Sequence, residues 1–147
     1  MSPTGMMNAE KVELKRVFGD VYCRISRKSD NSIVHAQWFG AQSEETVKGG
    51  GLKMLELMRE RPYAKLLNCN KEVIGSWDTA LEWVETEWAP EMRKAGLRYL
   101  AYVVPTSVFA TMTVEMAIQR LGDDFEIRTF DDEQNAESWL ISLGRID

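Results

Sequence analysis

The stretch Arg98-Tyr-Leu-Ala-Tyr-Val-Val104 decides the fold class, because apolar and aromatic residues fill it almost without interruption. Such a run is typical of a parallel β-strand that is covered on both faces. Amphipathic helices are predicted on either side of it, from apolar residues that recur at helical spacing. These are Trp77, Leu81, Val84 and Trp88 before the strand, and Val114, Ala117, Ile118 and Leu121 after it. A strand between two such helices predicts an α/β domain.

The rest of the chain extends this alternation in both directions. Three strands of an antiparallel meander are predicted first, then a helix and a short strand; a last strand and a last helix follow at the other end. The order is β-β-β-α-β-α-β-α-β-α, so we predict one α/β domain over residues 11–147, with a mixed sheet and flanking helices. A flexible tail is expected at residues 1–10. The remaining predicted elements are strands at 11–18, 21–26, 32–39, 64–69 and 125–130, a turn at 28–31, and helices at 43–61 and 131–143.

Local signals predict where the helices begin. Ser43, Ser76 and Thr113 are expected N-caps, and Asp131 has the spacing of a capping box with Gln134. Three consecutive glycines, at 49–51, fall inside the first predicted helix. Each costs about 1 kcal/mol relative to alanine. They therefore either delay the start of the helix or allow it to pack closely against the sheet.

Composition excludes several classes of function. The 147 residues carry 18 Lys and Arg against 23 Asp and Glu, and this net charge of −5 argues against nucleic-acid binding. No apolar run approaches the roughly 20 residues that a membrane span needs. The N-terminus lacks the pattern of an export signal, so we expect a cytoplasmic protein with free thiols. One His and two Cys are too few for a zinc site, and we expect no metal or cofactor.

Several short segments carry a resemblance to a known family. They lie at 33–40, ending in Trp38-Phe39-Gly40, at 75–96, at 101–105, and around Phe109 and Met112-Thr113-Val114-Glu115. Another begins at Phe130-Asp131-Asp132 and continues to Trp139-Leu140. Their order and spacing resemble the SpoIIAA-like (STAS/SEC14-like) family of small bacterial proteins, and the element order resembles the STAS fold of anti-sigma-factor antagonists.

The resemblance implies a regulatory module rather than an enzyme. STAS regulators dock onto a protein partner, and many are switched by phosphorylation of a Ser or Thr at the start of the helix after the fourth strand. The corresponding segment here is the expected loop at 68–78, in which Ser76 is the phosphosite candidate. That loop lacks the Asp-Ser motif of the phosphorylated regulators, and an N-cap is the alternative role for Ser76. The SEC14-like branch implies a carrier of a lipid-like molecule as an alternative function.

Candidate binding residues cluster after the fourth and fifth strands. Ligands of α/β proteins often lie at strand ends, and a surplus of Trp and Met is typical of an adaptable apolar pocket or contact face. We therefore expect a surface that binds a protein partner or a small apolar ligand, formed by Asn68, Cys69, Asn70, Ser76, Trp77, Phe109 and Met112. Exposed sheet edges and aromatic helix faces are also consistent with a homodimer.

An enzyme that depends on a thiol or a carboxylate is the remaining alternative. Cys69 would be its nucleophile, and such a thiol needs a base or a lowered pKa. The single histidine, His35, lies on a strand whose other face carries Val34, Ala36 and Trp38. The sequence places neither residue near the other, so we expect His35 to be structural.

Overall fold

Six strands form one mixed sheet in the computed structural model, which describes residues 11–28 and 32–144. The first three strands are antiparallel to one another, and the third to the sixth run parallel. The predicted α/β class with a mixed sheet is confirmed. The predicted tail at 1–10 and most of the predicted turn at 28–31 lie outside the described residues. The strands are β1 (Lys11–Lys15), β2 (Val21–Lys28), β3 (Ile33–Ala41), β4 (Lys65–Ile74), β5 (Tyr99–Val103) and β6 (Glu126–Phe130).

In the described part of the chain, four helical segments cover the two faces of this sheet. Right-handed crossovers that always step in the same direction place their helices on one face. The three helical segments that connect the parallel strands do pack on one face, and the last helix packs on the other. The segments are α1 (Glu44–Glu60), α2 (the consecutive turns Asp78–Ala80, Leu81–Trp83, Val84–Trp88 and Ala89–Lys94), α3 (Val108–Leu121) and α4 (Glu133–Ser142). Among the described residues, no helix has the length and apolar character needed to cross a membrane.

Strand β5 is buried on both faces, as its sequence predicts. Leu100 and Tyr102 face the larger core under α1, α2 and α3. Ala101 and Val103 face the smaller core under α4, where Leu140 packs. The near-continuous apolar run therefore reflects two cores that share one strand.

Two helices begin earlier or later than their sequence predicts. The N-cap of α3 is Ser107, whose hydroxyl accepts a hydrogen bond from the Ala110 amide at 3.3 Å. The predicted cap at Thr113 is wrong, because Thr113 is a buried residue in the middle of α3. Helix α4 is capped by Asp132 and not by Asp131. At α1, in contrast, the expected Ser43 cap is present.

The predicted loop at 68–78 is wrong over most of its length. Strand β4 continues to Ile74, so Asn68, Cys69 and Asn70 are buried strand residues rather than parts of a surface loop. The polar pair Lys71 and Glu72, which is exposed, made this part of the strand look like a loop.

The three glycines lie inside α1, which begins before them at Glu44. Their role is close packing, the second of the two alternatives. A Cβ atom at Gly50 would lie 2.2 Å from the ring of Trp38. At Gly51 a Cβ atom would lie 2.9 Å from the rings of both Trp83 and Trp88. The helix backbone therefore rests directly on aromatic rings from β3 and α2.

Candidate functional site

A cavity of about 50 Å³ lies where α1 and α2 meet the sheet, and it is partly open to the surface. Four of the five tryptophans of the chain line it: Trp38 of β3, Trp77 just before α2, and Trp83 and Trp88 of α2. Val47 and Met54 of α1 complete the apolar wall. Most of the aromatic surplus of the sequence is therefore gathered around one small space.

Two departures from regular structure lie at this wall. Between Gln37 and Phe39 the register of β3 against β4 slips, because β4 has one residue more than β3 in this interval. Trp38 lies at this bulge. In α2, the stretch Val84–Trp88 forms a π-helical turn, just before Pro90. Both β-bulges and π-turns are enriched at functional sites, where they aim side chains that a regular element would direct elsewhere.

Hydrogen bonds fix two of the aromatic rings. The indole Nε1 of Trp38 donates to Oδ1 of Asn68 at 2.8 Å. The indole Nε1 of Trp88 donates to the carbonyl oxygen of Gly51 at 3.1 Å. Tyr102 of β5 lies close to Asn68, and burial raises the pKa of its phenol to about 12. The Tyr102 hydroxyl is therefore neutral at physiological pH.

Two polar atoms of the cavity wall are buried and have no hydrogen-bond partner in the described part of the chain. One is Oε1 of Gln42 and the other is Nδ2 of Asn70. Gln42 is 8% exposed and Asn70 is 3% exposed. The orientation of the Gln42 amide is set by its nitrogen, which donates to the carbonyl oxygen of Phe39 at 2.9 Å. Both atoms belong to residues that line the cavity, but neither atom is itself accessible to water.

The cavity wall is electrically neutral. Within residues 11–28 and 32–144, its lining includes Trp, Tyr, Val, Met and Gly residues and the amides of Asn and Gln, but no Asp, Glu, Lys, Arg or His. An ion that entered would lose its hydration without gaining a countercharge, which is costly. The wall therefore favours a neutral and largely apolar occupant.

Cys69 lies on the opposite face of β4, in the smaller core. Glu133, the first residue of α4, lies near both Cys69 and His35, and its carboxylate is 2.6 Å from Nε2 of His35. Burial raises the pKa of Cys69 to about 11. Burial also lowers the pKa of His35, an effect that Glu133 partly offsets. A thiol with this pKa is protonated at neutral pH and is a poor nucleophile.

The other predicted site residues lie away from the cavity wall. The Ser76 hydroxyl is 2.9 Å from that of Thr113 and accepts a hydrogen bond from the Asp78 amide at the start of α2. Phe109 and Met112 lie on the outer face of α3, where they are 66% and 53% exposed. Of the seven predicted residues, the structure brings together Asn68, Asn70 and Trp77 in the cavity wall.

Sequence reasoning missed several wall residues that come from other elements. Trp38, Gln42 and Tyr102 are the most important of them. A signal for two of these was present: the alternation of β3 puts Trp38 on its buried face, and that of β5 does the same for Tyr102. Their meeting depends on the parallel register of three strands, which the sequence does not specify.

Comparison of this chain with protein-family models, with curated proteins and with solved structures found no match. Among the described residues there is also no group of three or more His, Cys, Asp or Glu side chains that could hold a metal ion.

Proposed function

We propose that this chain is a non-catalytic regulatory module that binds a small, neutral and largely apolar ligand in the tryptophan-lined cavity. We also propose that its fold is a STAS/SpoIIAA-like variant and that it acts in the cytoplasm. The sequence segments that resemble the SpoIIAA-like family support the fold, and the two free buried cysteines are consistent with a reducing compartment.

The observation that carries the proposal is the convergence of four tryptophans on one partly open cavity. Small-molecule sites are concave and mostly apolar, with a few polar groups that fix the orientation of the ligand. Here the indole rings supply the apolar wall and the amides of Gln42 and Asn70 supply the polar groups. A wall that served only as core packing would be expected to pair its polar atoms within the protein.

The chemistry of the wall supports binding rather than catalysis. The titratable group among the described wall residues is the phenol of Tyr102, and its pKa of about 12 keeps it protonated. Cys69, the expected nucleophile of the thiol-enzyme alternative, is separated from the cavity by the sheet.

The size of the cavity supports a small ligand rather than a lipid. A water molecule needs about 10–15 Å³ on this measure, so 50 Å³ accommodates a group of roughly three to five heavy atoms. A lipid chain would have to widen the cavity or remain largely outside it. The geometry therefore favours a small ligand over the lipid-carrier alternative.

The indole N–H resonances test this proposal directly in a two-dimensional ¹H–¹⁵N spectrum. Trp38, Trp77, Trp83 and Trp88 line the cavity, whereas Trp139 packs in the other core and is an internal control. Titration with cyclopentane, indole and decanoate compares a small apolar probe, a larger aromatic probe and a lipid-like one.

We expect cyclopentane to shift the four cavity resonances and to leave that of Trp139 in place. Cavity shifts with decanoate alone would support the lipid carrier instead. If no probe moves the cavity resonances, or if Trp139 moves with them, the small-ligand proposal is wrong.

A protein-binding role is the second candidate, because α3 exposes an apolar stripe. Val108, Phe109, Met112 and Met116 are between 38% and 70% exposed on this helix. Exposed apolar patches of this kind often mark protein interaction sites. The stripe could also join two copies of the chain in a homodimer. Light scattering of the wild-type protein and of the double variant Phe109→Ser/Met112→Ser tests the homodimer. If the stripe joins two copies, the wild-type protein is a dimer and the variant is a monomer.

A further inference from the structure

We propose that the exposed apolar stripe of α3, together with the acidic side of α2 beside it, is a docking surface for a basic amphipathic helix of a protein partner. The stripe consists of Val108, Phe109, Met112 and Met116. The apolar face of the partner helix covers the stripe, and its Lys or Arg side chains pair with the flanking carboxylates. This inference goes beyond the cavity, because it rests on the second candidate function, protein binding, and adds the chemical class of the partner.

The stripe is a continuous row along α3. Residues three or four positions apart are neighbours on a helix surface, so Met112 adjoins Phe109 before it and Met116 after it. The helix buries a different side, which is formed by Ala110, Thr113, Val114, Ala117 and Leu121. The stripe is therefore apolar surface that the described part of this chain leaves largely uncovered. Two of its members are methionines, whose flexible side chains adapt to the surface of a partner.

Helix α2 runs beside α3 in the same direction. Just before α2, the hydroxyl oxygen of Ser76 lies 2.9 Å from that of Thr113 in α3. Further along both helices, the guanidinium of Arg120 donates a hydrogen bond to the Glu85 carboxylate at 3.2 Å. Glu85 therefore marks the side of α2 that faces α3, and the exposed Glu82, three positions earlier, lies on the same side. Carboxylates of α2 thus border the stripe.

The charge around the stripe is strongly one-sided. Segments 78–88 and 108–121 together carry five acidic residues, at positions 78, 82, 85, 87 and 115, and a single basic residue, Arg120. Glu115 adjoins Met112 on α3 itself. Among the described residues, neither Glu115 nor Glu82 has an ion pair within the chain. A partner that places Lys or Arg beside an apolar face is therefore complementary to this surface in both charge and polarity.

The same features favour a helix of another protein over a second copy of this chain. In a two-fold dimer each copy presents the same surface to the other, so the carboxylates of the two copies would repel one another. An amphipathic helix that lies on an apolar surface is a common mode of peptide recognition. The row from Val108 to Met116 is about 12 Å long at 1.5 Å per residue, which about three turns of a partner helix cover.

The first test measures the binding of three fluorescein-labelled peptides of about 14 residues by fluorescence anisotropy. The basic probe consists of leucine and lysine, with the leucines at helical spacing on one face. The acidic probe has glutamate in place of every lysine, and the scrambled probe has the composition of the basic one but no apolar face. We expect the basic probe to bind the wild-type protein at least tenfold more tightly than either of the others, and to bind more weakly as the salt concentration rises.

A second test locates the binding with two double variants. Phe109→Ser/Met112→Ser removes half of the stripe and should weaken binding of the basic probe at least tenfold. Glu82→Gln/Glu115→Gln keeps the stripe and removes two flanking carboxylates. It should weaken binding about threefold to tenfold and make the affinity less sensitive to salt.

Matched controls lie on the opposite face of the sheet. Ile141→Ser removes an exposed apolar side chain of α4. Glu126→Gln/Glu137→Gln removes two carboxylates: Glu137 belongs to α4, and Glu126 pairs with Arg128, which lies over the ring of Trp139 in α4. Both controls should bind the basic probe as the wild type does. Circular dichroism of every variant checks that its fold is retained.

The outcomes separate this inference from the protein-binding function on which it rests. If the acidic probe binds as tightly as the basic one, the stripe binds proteins but the basic class of partner is wrong. Equal binding of the scrambled probe, or equal losses in the controls of the opposite face, would reduce the effect to general attraction by an acidic protein and overturn the inference. A wild-type dimer that Phe109→Ser/Met112→Ser abolishes would overturn it as well, because a second copy would then cover the stripe. If no probe binds, the inference and the protein-binding candidate both fail, whereas the cavity titration tests the small-ligand proposal separately.

Discussion

Replacing Gly50 with alanine should destabilise the protein, although alanine is the better helix former. Gly50 lies in α1 with its backbone against the ring of Trp38. An added Cβ atom would lie 2.2 Å from Cη2 of that ring, and 2.9 and 3.0 Å from its neighbouring carbon atoms. Carbon atoms in contact are normally about 3.5–4.0 Å apart. The ring or the helix would therefore have to move by more than about 1 Å.

The magnitude follows from three contributions. Overpacking of this kind typically costs about 1–3 kcal/mol. Moving the Trp38 ring also strains its buried 2.8 Å hydrogen bond to Asn68, a loss of about 1 kcal/mol. The change from glycine to alanine within a helix returns about 1 kcal/mol. We therefore expect the free energy of unfolding to fall by about 1–3 kcal/mol, which lowers the melting temperature by several degrees in a chain of this size.

The neighbouring glycine supplies a matched control. A Cβ atom at Gly49 would also lie 2.2 Å from another atom, but that atom is the hydroxyl oxygen of Tyr22, at the far end of a half-buried side chain that can rotate away. Gly49→Ala should therefore leave the stability unchanged or raise it by up to about 1 kcal/mol. Thermal and urea unfolding followed by circular dichroism compare the two variants with the wild type. If Gly50→Ala is as stable as Gly49→Ala, the argument that α1 rests on a fixed Trp38 ring is refuted.

Two further predictions concern the single histidine and the two cysteines of the chain. His35 has a pKa lowered by burial, so the unfolded chain, with a His pKa near 6.5, binds the proton more readily than the folded one. The free energy of unfolding should accordingly decrease as the pH falls below about 6.5, and this decrease should be smaller in His35→Gln. NMR titration of the single histidine should give a midpoint below about 6.5. A midpoint above about 6.5 would contradict this account. Cys69, with a pKa of about 11, and Cys23, whose pKa burial raises even further, should both resist iodoacetamide at pH 7.5 until the protein is unfolded in guanidinium. Rapid alkylation of the native protein at Cys69, located by peptide mass spectrometry, would revive the thiol-enzyme alternative.

The fold class could be predicted from the sequence because its main signals are local. The apolar run of β5 and the apolar stripe of α2 each lie within a short stretch of the sequence. The residues that form these two patterns are also the ones that are buried in the structure. The end of β4 was missed because two of its residues, Lys71 and Glu72, are exposed and polar. The start of α3 was missed because its first turns expose Phe109 and Met112, which obscures the boundary between an inner and an outer face.

The site was less predictable because its wall comes from five elements. The sequence indicates that Trp77 and Trp88 share a helix face, and it suggests a pocket from the surplus of tryptophan. It does not indicate that Trp38 meets them, since that contact depends on how β3 and β4 pair in the sheet. A bulge shifts every later residue of β4 relative to β3, and a one-residue shift reverses the face on which a side chain lies.

Three irregular features of the chain meet at the cavity. Gly50 and Gly51 cost α1 about 1 kcal/mol each, the bulge interrupts a parallel ladder, and the turn Val84–Trp88 replaces α-helical with π-helical geometry. Each feature is unfavourable in isolation, and each contributes to the same wall: Gly51 accepts the hydrogen bond from Trp88, and the bulge lies beside Asn70. Selection for stability alone would be expected to fill the cavity, pair the amides of Gln42 and Asn70 and restore regular geometry. These local costs support the proposal that a ligand occupies this space, because its binding energy would offset them.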